Sequence, residues 1–99
     1  MSVGDERAFL RALGACIQVL RADQRVSQEQ FATMIGVSRA YVGELERGEH
    51  ATNIVVLWRI AEALRAPLAV LVDEATNPSP PVPLVSILER RAGLGGGGG

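Results

Sequence analysis

The apolar positions of this chain recur at intervals of three and four, and that period predicts helices. Phe9, Leu10, Leu13, Ile17 and Leu20 fall on one face of a first helix running from about Glu6 to Ala22. Ser27, followed three residues later by Gln30, has the spacing of a capping box and opens a second helix that continues through Ile35. Gly36 stands where that helix must stop, because glycine enters the left-handed region without a Cβ clash. Ser38 caps a third helix, which ends near Arg47 with Gly48 as its stop. Asn53 caps a fourth, whose apolar stripe is Leu57, Ile60, Ala61 and Leu64. Pro67 suits the first turn of a short fifth helix, with Leu68 and Leu71 turned inward.

The pattern changes after Glu74. Asn77-Pro78-Ser79-Pro80-Pro81-Val82-Pro83 reads as a stiff, extended linker, and a short apolar piece, Leu84–Leu88, follows it. The run Gly95–Gly99 has no side chains to pack. Residues 5–74 are therefore expected to form the folded domain, and 75–99 a Pro-rich linker, a short apolar segment and a flexible Gly tail.

Composition narrows the function. Ninety-nine residues allow one domain, and 4% aromatic residues disfavour a sandwich or barrel. Ten basic residues, all arginine, oppose eleven acidic ones for a net charge of −1, which excludes wrapping nucleic acid by bulk charge but permits a local basic patch. Cys16 and His50 are each the sole residue of their kind, which argues against a disulfide, a zinc motif and a histidine-based catalytic triad. No metal, cofactor or catalysis is expected. The charged start of the chain does not resemble a signal peptide, and the uncharged stretches Ala12–Leu20 and Ala66–Val72 fall short of the ~20 residues of a membrane span, so a cytoplasmic location is expected.

The second and third helices carry the most information. Only Gly36-Val37 separates the end of one from the cap of the next, which forces a steep crossing. Ala32 supplies the small residue that the crossing needs, and Val42 and Leu45 supply apolar positions facing back. Small residue, glycine turn and two apolar residues is the spacing of a helix-turn-helix. The string Val26-Ser27-Gln28-Glu29-Gln30-Phe31-Ala32, Ile35-Gly36-Val37-Ser38-Arg39-Ala40-Tyr41-Val42 and Leu45-Glu46-Arg47-Gly48, continuing through Leu57–Leu64 and Pro67-Leu68, resembles the Cro/repressor-type (XRE-like) helix-turn-helix regulators.

That resemblance implies an all-α, five-helix lambda-repressor-like DNA-binding domain with a Pro/Gly-rich C-terminal tail. It implies a third helix in the major groove, with Arg39, Ala40, Tyr41 and Glu44 facing bases. It places Gln28, Ser38, Arg47, His50 and Asn53 at the DNA backbone, and pairs Arg21 with Glu46 as a structural ion pair. Helix polarity favours a phosphate at Ser38 independently. The sequence departs from the pattern at Arg25 and Arg65, where relatives often have glycine, and at Cys16, Gln18 and His50-Ala51-Thr52, where phosphate-contacting charges are missing.

The expected function is sequence-specific double-stranded DNA binding by a transcriptional regulator acting as a homodimer. The expected dimer surface is the fourth and fifth helices with Leu84–Leu88, whose apolar residues find no place in the predicted core. The competing reading is an antitoxin or protein-interaction module of the same fold, whose partner is another protein held through the C-terminal tail. Trp58 and Phe31 are expected in the core, and Cys16 as a partly buried apolar residue.

Overall fold

A computed structural model describes residues 3–78 and 83–91. There the chain forms six helices: α1 (Val3–Asp23), α2 (Gln28–Ile35), α3 (Arg39–Glu46), α4 (Ile54–Ala63), α5 (Leu68–Thr76) and α6 (Pro83–Arg91). The described residues contain no strand. Residues 79–82 of the linker and the glycine run 95–99 lie outside the described residues.

The caps follow the sequence. Ser27 accepts from the Gln30 amide while the Gln30 side chain accepts from the Ser27 amide, completing the capping box. Ser38 Oγ accepts from the Tyr41 amide, and Asn53 Oδ1 from the Val56 amide. Pro67 stands one residue before α5 rather than within its first turn.

The first four helices end alike. A left-handed residue follows each one, and the next amide donates to the carbonyl five residues back: Val26 to Arg21, Val37 to Ala32, Glu49 to Glu44 and Ala66 to Ala61. Each end thereby satisfies a carbonyl that the helix leaves open. The left-handed residues are Arg25, Gly36, Gly48 and Arg65. For the two arginines, at φ 57° and 54°, this conformation costs about 1 kcal/mol each relative to glycine.

The core lies between α1 and the remaining helices. Ile17 and Leu20 of α1 meet Phe31 and Ile35 of α2, Val42 and Leu45 of α3, Ile60 of α4 with its cap residue Leu64, and Leu71 of α5, all fully buried. Ala32 is buried at the α2–α3 junction, and Val37 packs on the core from the turn.

Two expectations need correction. The apolar piece after the linker is a sixth helix, and it does have a place in the core: Ile87 is buried with the residues above, and Leu88 packs against them. Its basic end fastens it, because Arg90 pairs with Asp73 and with the buried Glu74 at 2.9 Å, and Arg91 pairs with Asp23 at 2.6 Å. Trp58, by contrast, is 53% exposed and not a core residue. Its helix buries Leu57, Ile60 and Ala61, and position 58, about 100° round the helix from Leu57, lies beside that stripe and outside it.

Candidate nucleic-acid interface

The turn Gly36-Val37-Ser38 delivers α3 with its N-terminal end outward. Ser38, Arg39 and Ala40 are exposed, Tyr41 and Glu44 half-buried, and Val42, Gly43, Leu45 and Glu46 buried. Helical spacing thus sets Arg39, Ala40, Tyr41 and Glu44 apart from the face that packs. No ion pair engages Arg39 or Glu44 among the described residues. The Arg39 guanidinium is therefore free to meet a ligand.

The loop from Glu49 to Asn53 is tied to that helix. The Tyr41 hydroxyl donates to Thr52 Oγ1 at 2.8 Å. The Tyr41 and His50 rings meet edge to face, with centroids 4.9 Å apart and planes at 76°. Arg47, just past α3, pairs through Nε with Glu49 at 2.9 Å, which raises the arginine pKa and lowers that of the glutamate, chiefly by this hydrogen bond. Both side chains are more than half exposed, so the pair fixes geometry more than it stabilises the fold.

Behind this surface lies a buried charge network. Arg21 Nε donates to Glu46 Oε2 at 2.6 Å and its Nη2 to Oε1 at 3.1 Å, and its Nη1 donates to the Val26 carbonyl at 2.8 Å. The side chains are 13% and 3% exposed, so the ion pair is buried and two-pronged. Gln28 Nε2 also donates to Glu46 Oε1, at 2.9 Å. Gln28 thus belongs to this network, a role its sequence position did not suggest.

The resemblance also gave no hint of Gly14. A Cβ on this residue would lie 2.4 Å from the Leu45 carbonyl oxygen and 2.5 Å from that of Glu46, so α1 and the end of α3 meet backbone to backbone. A glycine inside a long helix costs about 1 kcal/mol of helix propensity, and that cost was the signal of a close approach. Arg7 and Arg11 of α1, which reach the same surface depression as Arg47, were also missed.

Other chemistry is weak. Cys16 is buried, and burial, with a smaller contribution from Glu74, pushes its pKa up to about 12, which keeps it a neutral thiol. Among the described residues no group of three His, Cys, Asp or Glu side chains could hold a metal ion. No helix among them is long and apolar enough to cross a membrane.

Comparison with known proteins agrees with this geometry. A family model described as "Helix-turn-helix" matches residues 17–71, more than half the chain. The HTH-type transcriptional regulator SutR of Escherichia coli (strain K12) is 31% identical over 72 residues, covering 73% of this chain and 40% of that protein. The ImmF control region 10 kDa protein of Bacillus phage phi105 is 33% identical over 61 residues, 62% of this chain and 68% of that one. This chain therefore spans less than half the length of SutR. Among solved structures, the clp gene regulator ClgR from C. glutamicum superposes with a TM-score of 0.65 at 35% identity, over 69% of this chain and 87% of that one. The restriction-modification controller protein C.AhdI from Aeromonas hydrophila gives 0.61 at 34% identity, over 63% and 94%.

Proposed function

The chain belongs to the XRE-type helix-turn-helix family of DNA-binding transcriptional regulators, which are not enzymes, and on that premise we propose that it reads double-stranded DNA through the N-terminal end of α3. One observation carries this reading: α3 is buried at its C-terminal end and presents an unpaired Arg39 at the other. Arg39, Ala40, Tyr41 and Glu44 face bases in the major groove. The arginine fork matches the O6 and N7 acceptors of guanine. Ser38, at the helix N-terminus, and Gln28, through the amide hydrogen that Glu46 leaves free, meet phosphates. Arg47, His50 and Asn53 extend the backbone contact along the loop, and the Tyr41–Thr52 bond holds the loop in register with the reading helix.

The reading unit is a homodimer. A short helix reaches few base pairs, and a chain of net charge −1 has few phosphate contacts to offer alone. The surface that favours a second copy is not α6, whose described contacts fasten it to α1 and α5. It is the outer face of α4 with Met34 of α2. Ile54, Trp58, Met34 and Val55 are 64%, 53%, 53% and 52% exposed. Four such side chains present on the order of 400 Å² of apolar surface, about half of what one partner contributes to a standard interface. Arg59 and Glu62 flank Trp58 in the groove beside Met34, and neither has an ion-pair partner among the described residues. One positive and one negative group beside an apolar centre complement themselves across a two-fold axis. The patch begins at Ile54, next to Asn53, so the axis would keep both loops and both α3 helices on one side, with half-sites roughly 34 Å apart.

Selection of bound duplexes from random DNA tests both parts. An enriched site with two-fold symmetry is the expected result, and recovery of no preferred sequence contradicts the reading. Trp58→Asp should shift the mass measured by light scattering from dimer to monomer. An unchanged dimer mass would remove α4 from the interface.

A further inference from the structure

One depression on the surface gathers positive charge of which the reading above uses only Arg47. Arg7 and Arg11 stand four residues apart on α1, hence on one face, and both are exposed. With Leu10, Arg47, Gly48 and Glu49 they line a cleft of about 530 Å³. Three arginines against one glutamate give it a charge of +2, in a chain whose net charge is −1. Arg47 is paired with Glu49, but neither Arg7 nor Arg11 has an ion-pair partner among the described residues. Like charges at this helical spacing repel, so the arrangement gains nothing for the fold by itself. The cleft is also closely packed at its base. A Cβ on Gly48 would lie 2.7 Å from Arg11 Cα and 2.8 Å from Arg11 N, which fixes the start of the 49–53 loop against the helix that carries both arginines.

We propose that Arg7, Arg11 and Arg47 form a phosphate-binding cleft that takes a phosphodiester of the DNA backbone beyond the base pairs reached by α3, an inference that rests on the DNA reading above. Planar guanidinium forks match phosphate oxygens in pairs, and the cleft adjoins the loop that carries His50 and Asn53. Glu49 stands in the cleft as a carboxylate that the phosphate must tolerate, and its bond to Arg47 weakens the site. The same chemistry would suit the phosphate of a small free molecule, and the test separates the two sources.

Binding of the full chain to its selected duplex is measured across a salt series. The proteins compared are the wild type, the double variant Arg7→Gln/Arg11→Gln, and Arg65→Gln, a charge control at the other end of α4. The double variant should bind every duplex roughly ten-fold more weakly at about 150 mM salt with base preference unchanged, and its salt slope should fall by about one. Arg65→Gln should keep the wild-type slope, and Glu49→Gln should bind more tightly than the wild type. Thermal melting of the double variant should match the wild type, because both side chains are exposed. An unchanged slope in the double variant, or an equal fall in Arg65→Gln, overturns the site. If the wild type binds no duplex, the DNA reading itself has failed, and titration with pyrophosphate followed through the Gly48 amide shift decides the cleft. Saturable binding lost in the double variant would then give the cleft to free phosphates instead of DNA, and no binding would remove it.

Discussion

At the C-terminal end of α3, Leu45 and Glu46 are buried, the α1 backbone meets their carbonyls at Gly14, and Arg21 and Gln28 hold the Glu46 carboxylate. At the N-terminal end Arg39 and Ala40 are exposed, and the Ser38 cap with the Val37–Ala32 bond holds the turn. Eight residues thus divide between two tasks. One end spends its side chains on placing the helix, and the other leaves them free to meet a partner. Substitutions should divide the same way, with stability lost at one end and recognition at the other.

Gly14→Ala should give the largest effect. A methyl group 2.4 Å from a backbone carbonyl cannot be relieved by turning a side chain, so α1 and α3 must separate. The expected cost is about 3 kcal/mol, even after the ~1 kcal/mol of helix propensity that alanine adds. A urea midpoint equal to the wild type would show that the seam is not tight. Glu46→Gln should follow at about 2 kcal/mol, below the ~3–5 kcal/mol of a fully broken buried pair, because the amide oxygen still accepts a bond from Arg21. A double-mutant cycle with Arg21→Gln measures the coupling, and additive losses would make the pair incidental. Arg65→Gly should give the smallest change and the opposite sign. Releasing the left-handed strain should stabilise the chain by about 1 kcal/mol, read as a higher melting temperature. A lower one would mean that the arginine side chain contributes more than its backbone strain costs.

The caps and stops made most of the fold legible, because Ser27, Ser38, Asn53, Gly36 and Gly48 act within a few residues of themselves. The α6 helix escaped because its apolar piece is short and follows a proline run, and what secures it is distant in sequence: Asp23, Asp73, Glu74 and the core around Ile87. Trp58 was misplaced for a related reason. A large aromatic residue on a helix is usually covered, and only the position of the stripe through Leu57, Ile60 and Ala61 shows that it is not. At the site, the exposed end of α3 and the Arg21–Glu46 pair followed from motif positions. The Gln28–Glu46 bond, the Tyr41–Thr52 bond and the Arg7–Arg11–Arg47 cleft did not, because each joins segments that no local rule brings together.

The division of α3 into a structural end and a reading end is tested most directly by Arg39→Ala. Binding constants are measured for wild type and variant on the selected site and on its single-base variants, beside a urea melt of each protein. The variant should melt with the wild type and lose ~1–3 kcal/mol of discrimination at one base pair per half-site, with the other positions unchanged. A uniform loss across every duplex, with the salt slope lowered by about one, would make Arg39 a backbone contact and contradict its role as the reader.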